Sequence, residues 1–315
     1  MGRKNRSQVF DADQVGIYHC TQRAVRRAML CGIDPVTGHS FEHRRGWIEQ
    51  LLEELAGIFA FDALAYAVMS NHVHTVVRNR PDILESWSNR EVALRWWRLT
   101  VGRRRAEDNA EPTDAELKPL LKKKRNLELR KRLGSISWLM RYLAEPIARR
   151  ANKEDECTGR FWEGRFKCHP LVDEAAVLAC SAYVDLNPIR AGISDMPENS
   201  SFTSIQRRIT ALKETQGLSD IQVSETSSAG CSADSWLAPV EQDQRAEAFQ
   251  GAMPSASGRR ASDKGFLAMS LETYLELVDW TGRELRKTNA GHIPREAVPI
   301  LERLGLENKS WCYLV

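Results

Sequence analysis

The chain has 315 residues, of which 42% are hydrophobic and 28% charged, and a formal net charge of +3. That length and balance allow one or more buried cores and argue against a disordered, collagenous or membrane-embedded class. No stretch approaches the roughly eighteen consecutive apolar residues of a membrane span, and the polar opening MGRKNRSQVF lacks a signal-peptide core, so a cytoplasmic location is expected. Seven cysteines, scattered and never in C-x-x-C spacing, argue against a disulfide framework or a zinc ribbon and read as reduced thiols.

In chain order, DQVGIYHCTQR (13–23) reads as a first strand. HRRGWIEQLLEELAGIFA (43–60) follows, with Trp47, Leu51, Leu55 and Ile58 at helical spacing. YAVMSNHVHTVV (66–77) then reads as two strands joined by a tight turn at Ser70-Asn71. Alternation along the second strand sends His72 and His74 to one face and Val73 to the other, so two imidazoles stand side by side. On spacing alone the pair fits either a surface strand with two exposed histidines or a metal site.

From Pro81 to Lys131 the chain is charged and reads as a helical insertion. Its segment LKKKRNLELRKR (121–132) sets seven Lys/Arg against one Glu, beginning with Lys122, Lys123, Lys124 and Arg125, and Arg103-Arg104-Arg105 forms a second basic knot. Trp87, Trp96, Trp97 and Trp138 lie around these runs. The pattern fits a solvated helix face or a single-stranded backbone with stacked bases.

SISWLMRYLAEPIARRAN (135–152) resumes as a helix despite Pro146, and CTGRFWEGRFKCHPL (157–171) reads as a strand. The order is then β-α-β-β-α-β, the ferredoxin-like pattern of an α+β fold. Within the strand, Arg160, Arg165 and Lys167 interleave with Phe161, Trp162 and Phe166, which suits phosphate contacts and base stacking, or core aromatics flanked by solvated cations. Strict alternation would place Arg165 and Lys167 together on one face.

VDEAAVLACSAYVDLNPIRAG (172–192) reads as a helix starting near Asp173 and ending before Pro188. Tyr183 and Asn187 stand one turn apart on it, either as a phenol and a metal-capable amide presented together or as a part-buried tyrosine and a helix-ending asparagine. Residues 216–264, rich in Ser, Ala and Gly, read as a flexible linker. Residues 266–315 read as a small helical domain whose first helix is capped by Ser270.

Three ordered motifs, MSNHVHTVV, GRFWEGRFK and YVDLNPIRAG, together resemble the REP-associated tyrosine transposases, bacterial relatives of the single-tyrosine transposases that move DNA as single strands. The first motif is similar to the histidine-hydrophobic-histidine (HUH) element of that superfamily. The resemblance covers roughly residues 12–195, with the 81–131 insertion and the chain beyond about 200 outside it. It implies a ferredoxin-like HUH nuclease core, spanning residues 1–200 with the insertion. His72, His74 and Asn187 fall on positions that bind a divalent cation, and Tyr183 falls on the nucleophile. It also implies a hairpin-forming palindrome with a single-stranded tail as partner.

The chemistry follows from the residue types. A phosphodiester is an anionic electrophile, so its cleavage needs charge neutralised on the non-bridging oxygens and a nucleophile in line with the leaving oxygen. Two imidazoles and an amide leave coordination positions for water and phosphate, which suits Mg²⁺ or Mn²⁺. A tyrosine nucleophile gives a 5′-phosphotyrosine and a free 3′-OH, and the retained ester permits strand transfer without ATP. Two other readings are a relaxase or replication-initiator nuclease of the same chemistry, and a DNA-binding protein on an inactive core. The expectation is a single-strand DNA endonuclease and strand transferase, as monomer or dimer, with Arg160, Arg165, Lys167 and the Lys122–Arg125 run contacting DNA.

Overall fold

The computed structural model describes residues 9–25, 31–34, 36–101, 111–217, 232–242, 251–284 and 290–306. The Arg103–Arg105 knot, Cys231 and Cys312 lie outside the described residues, and the five described cysteines are free thiols.

Four strands, β1 (Ile17–Arg23), β2 (Phe61–Val68), β3 (His72–Asn79) and β4 (Lys167–Leu171), form one sheet in the order β2-β3-β1-β4. Every neighbouring pair is antiparallel. The β2–β3 hairpin turns through Ser70-Asn71 and is closed by the Met69 amide donating to the His72 carbonyl at 2.8 Å. The helix α1 (His43–Ala56) links β1 to β2. Between β3 and β4 run α2 (Pro81–Ser86), α3 (Asn89–Thr100), α4 (Asp114–Leu121), α5 (Lys123–Leu133) and α6 (Ile136–Glu154). The fold is thus mixed α and β, built on a four-stranded antiparallel sheet.

Strand alternation divides the interior in two. Tyr18, Cys20, Tyr66, Val68, Val73 and Val77 meet Ile48, Leu51 and Leu55 of α1 and Leu139, Met140, Leu143 and Ile147 of α6 in one core. Ala65, Ala67 and Val76, on the alternate positions, belong to a second core. The insertion helices join the first through Val92, Trp96, Leu129 and Leu133, while Ala93, Trp97 and Leu117 form a small cluster of their own.

The second core is completed by α7 (Glu174–Asp185), the short α8 (Asn187–Arg190), α9 (Ser204–Thr215), α10 (Leu271–Arg283) and α11 (Ile300–Arg303). Asp173 caps α7 by accepting from the Ala176 amide at 2.7 Å, and Ser270 caps α10 by accepting from the Thr273 amide at 3.2 Å. Tyr274, Leu275, Val278, Ile293 and Leu301 share this core with Leu64, Val184 and Leu186. The C-terminal helices therefore pack on the sheet and α7, where the sequence suggested a separate small domain.

Two further elements differ from the sequence reading. Residues 232–242 and 251–264 fall in the span read as a linker, yet Trp236, Leu237, Ala238, Val240, Ala261 and Ser262 are buried, and Trp236 is 1% exposed. The Ala238 amide donates to the Ala63 carbonyl at 2.9 Å and the Val68 amide to the Phe202 carbonyl at 3.1 Å, which covers the edge of β2. Local composition is rich in small polar residues, but one indole and a few aliphatic side chains gain enough by burial to dock the segment. The rest of that span, 218–231 and 243–250, lies outside the described residues.

The strand expected over 157–171 is confined to its last third. Phe161 and Phe166 both enter the first core, and an odd separation cannot send two side chains to one face of a regular strand. The backbone accordingly bends through residues 160–166, leaving only the Ala24–Trp162 bridge before β4 begins.

Because Trp236 is enclosed, Trp236→Ala is expected to lower unfolding free energy by about 3–5 kcal/mol, whereas Trp280→Ala at the exposed face of α10 should change it by less than about 0.5 kcal/mol. Urea midpoints of the two variants beside the parent measure both.

Candidate active site

The strand register builds the site. In the β1–β3 pairing Thr21 lies opposite His74, Arg23 opposite His72 and His19 opposite Val76. Paired residues share a face, so His19, Thr21, Arg23, His72 and His74 all stand on the face of the second core. Lys167 and His169 of β4 extend the same face, being paired with Thr21 and His19.

The histidine rings are close. His72 and His74 have centroids 4.7 Å apart, and His19 lies nearly parallel to His74 with centroids at 5.1 Å. The His72 Nδ1 lies 2.6 Å from the Asn71 side-chain oxygen, which only accepts. His72 therefore carries its proton on Nδ1 and keeps a lone pair on Nε2. His74 Nδ1 lies 2.8 Å from His19 Nε2, and its Nε2 lies 3.4 Å from the Asn187 side-chain nitrogen.

Burial, which disfavours the charged ring, brings His19 down to about 4, aided by the nearby His169. His72 falls to about 4 through burial and then the charge of Arg23, and His74 falls to about 2 through burial, then His72, His19 and Arg23. All three imidazoles are neutral at physiological pH, the state in which they ligate metals or exchange protons.

Tyr183 projects from α7 over this cluster. Its ring centroid is 5.7 Å from that of His74 and 6.3 Å from that of His19, and it remains 42% exposed. The Arg190 guanidinium lies 5.9 Å from the centre of the phenol ring. The turn of the chain at Leu186 and Pro188 ends α7 and starts α8, bringing Asn187 against His74. Half a rotation of the Asn187 amide exchanges its nitrogen for its oxygen at that place.

A buried carboxylate anchors α7 itself. Asp185, two residues beyond Tyr183, accepts from the Ser204 hydroxyl, from the Ile205 amide at 3.0 Å and from the Tyr274 hydroxyl at 2.6 Å. Burial raises its pKa, and these donors and Arg208 oppose that rise.

Of the sequence-derived site residues, the structure gathers His72, His74, Tyr183 and Asn187 in one place. Lys167 stands on the same sheet face; Arg160 and Arg165 are exposed on the irregular segment before β4, so strand alternation does not unite Arg165 with Lys167. Lys122, Lys123 and Lys124 are exposed at the start of α5, and Arg125 pairs with Glu128 at 2.8 Å. That helix packs into the first core, on the other face of the sheet from the histidines. Sequence reasoning missed His19, Thr21, Arg23 and Asn71. The first three alternate with Tyr18, Cys20 and Gln22 in YHCTQR, a period-two polar face visible in the sequence.

Among the described residues no group of three or more His, Cys, Asp or Glu side chains is placed to hold a metal. The donors present for a cation are two neutral imidazoles and one amide. This set fits a hard or borderline divalent ion that keeps water and phosphate in its remaining positions.

No protein-family model matches the chain, and neither does any curated protein. Among solved structures the chain is similar to a REP-associated tyrosine transposase bound to a REP hairpin, at 12% identity and a TM-score of 0.39, over 74% of this chain and 96% of that one. A similarity this slight transfers no residue's role.

The lowered histidine pKa values predict a pH dependence. From the ordinary value of 6.5 down to about 4 the unfolded chain takes up protons that the folded site excludes, so stability is present above 6.5 and falls as pH is lowered through that window. His74→Gln removes one such group, so the stability of the parent relative to this variant should decrease between pH 6.5 and 4. Urea midpoints across that range read it, and a constant difference would mean that His74 titrates as in water.

Proposed function

We propose that this protein is a metal-dependent single-strand DNA endonuclease and strand transferase of the transposase type, with Tyr183 as nucleophile. The observation that carries the reading is the convergence of Tyr183 from α7 and Asn187 from the start of α8 with His72 and His74 from one strand, where the Tyr183 ring stays exposed. The strand order, the antiparallel pairing and the crossover helices α1 and α6 support a ferredoxin-like HUH core, extended by the insertion and the C-terminal helices.

His72, His74 and Asn187 would hold Mg²⁺ or Mn²⁺, which when bound supplies Lewis-acid stabilisation of the phosphate oxygens. The chain's own residues do the rest. The exposed phenol of Tyr183 reaches a phosphodiester laid on the β1–β4 side of the sheet, and its oxygen attacks phosphorus. The Tyr–O–P bond forms, the P–O3′ bond breaks, the phenol proton passes to water and the departing oxygen takes one up as a 3′-OH. Attack of a 3′-OH on the phosphotyrosine reverses these bonds and joins strands.

The Arg23 side chain is exposed on the site face, its guanidinium without a hydrogen-bond or ion-pair partner among the described residues, and its charge reaches both His72 and His74. In this proposal it meets a non-bridging oxygen of the scissile phosphate. Arg160, Arg165 and Lys167 receive the flanking backbone. Lys122, Lys123, Lys124 and Arg125 join the footprint only where DNA extends beyond the site. The substrate proposed is a hairpin-forming palindrome with a single-stranded tail, and the location proposed is cytoplasmic, on the nucleoid. Among the described residues no helix is long and apolar enough to cross a membrane.

Tyr183→Phe deletes one oxygen, so DNA affinity and stability should change little while covalent chemistry is lost. The assay incubates single-stranded palindromes, labelled at the 5′ or the 3′ end, with the protein and Mn²⁺ on a denaturing gel. An adduct carrying only the 3′-end label defines a 5′-phosphotyrosine; an adduct persisting in Tyr183→Phe would remove this residue from the mechanism.

The cation has its own test. His72→Ala and His74→Ala are each expected to reduce cleavage more than about 100-fold with the fold retained, and EDTA should abolish it in the parent. Parental rates from either variant in Mg²⁺ would contradict the assignment.

A further inference from the structure

His74 presents both ring nitrogens to defined neighbours. On one side, Nε2 faces the Asn187 side-chain nitrogen at 3.4 Å. As the amide is placed, that nitrogen only donates, and in this orientation Nε2 carries a lone pair. The same lone pair is required of Nε2 if it ligates a cation, whichever way the Asn187 amide is turned. The proton of the neutral ring therefore belongs on Nδ1.

On the other side, Nδ1 has two neighbours, His19 Nε2 at 2.8 Å and the Thr21 hydroxyl at 3.5 Å. The first is a full-strength hydrogen bond and the second is at the limit of one. A proton on His74 Nδ1 makes His19 Nε2 the acceptor, which in turn places the proton of His19 on its own Nδ1. His19 is held in place for this. Its strand β1 is paired on both sides, with Val76 and His169 as its register partners, and its ring lies within 10° of the plane of His74.

We propose that His19 is a positioning residue that fixes the tautomer and orientation of His74, accepting the Nδ1 proton so that the Nε2 lone pair stays aimed toward Asn187. It stands to His74 as Asn71 stands to His72, whose Nδ1 is engaged at 2.6 Å. The two site histidines thus receive the same treatment from different sources, one from its chain neighbour and one from across the sheet. Partners of this kind raise the basicity of a ligating imidazole and remove rotational freedom that binding would otherwise have to freeze. The inference rests on the proposed function only for its consequence in cation binding; the tautomer itself is a property of the protein alone.

The test uses the full chain free of metal, with the imidazole ¹⁵N–¹H correlations of the histidines assigned by single replacement. In the parent, His74 is expected as the Nδ1–H tautomer and His19 likewise. In a Thr21→Val background, which removes the second acceptor, His19→Leu should shift His74 toward the Nε2–H form. His19→Gln, whose side-chain oxygen can still accept, should largely preserve Nδ1–H. Mn²⁺ titration followed by electron paramagnetic resonance should then show affinity reduced by about 10- to 100-fold in the Leu variant, with the Gln variant closer to the parent.

An Nε2–H His74 in the parent, or an unchanged tautomer in the Leu variant, overturns the proposal. Should the Leu variant fail to fold, the parent spectrum alone decides. If the tautomers are as stated and the parent does not bind Mn²⁺, the proposed cation site fails while the role of His19 stands.

Discussion

The site depends most on the carboxylate of Asp185, sealed between α7, α9 and α10. A buried carboxylate is costly unless donors replace its water, and here a serine hydroxyl, a backbone amide and a tyrosine hydroxyl do so. The donors come from residues 204, 205 and 274, so satisfying one charge ties three helices together. Tyr183 and Asn187 flank that anchor two residues to either side. The helix that carries the phenol is thereby located by a polar contact with strict geometry, whereas apolar packing alone would allow it to slide.

The C-terminal helices follow from the same contact. Tyr274 supplies one of the donors, and Gly282 of α10 approaches Leu186 and Ile293 so closely that a Cβ there would meet the side-chain carbons of Ile293 at 2.5 Å and of Leu186 at 2.9 Å. The glycine lets α10 lie against the turn that presents Asn187. What reads in sequence as an appendage thus buttresses α7 and the Leu186 turn, and the docked Trp236 segment closes the neighbouring edge of β2.

Electrostatically the site is a neutral nest with a cation at its margin. Three imidazoles are kept uncharged chiefly by burial, helped by His169 at His19, by Arg23 at His72 and by His72, His19 and Arg23 at His74, while Arg23 remains exposed at the end of β1. Neutral rings offer lone pairs without repelling a divalent ion, and the arginine places a positive charge beside them. The strongest concentration of positive charge in the sequence, around Lys122–Arg132, lies instead on the opposite side of the sheet. Part of it is neutralised locally by Glu128, which meets both Arg125 and Arg132. The densest run of charge in the sequence therefore does not coincide with the place where the histidines and Tyr183 converge.

By itself the sequence determined what depends on nearby residues. Alternation put His72 and His74 on one face, a helical turn put Tyr183 over Asn187, and Ser270 and Asp173 marked helix starts, because each of these is set by φ/ψ periodicity or by a cap three residues away. Only the tertiary structure decided the rest. His19 meets His74 across 55 positions, Ser204 meets Asp185 across 19 and Tyr274 meets it across 89. Such contacts depend on strand register and on which helix face is buried, and no local pattern encodes either. The bend at 160–166 and the docking of Trp236 have the same origin: burying an aromatic ring overrides the local preference of the chain around it, and the place of burial exists only once the sheet has formed.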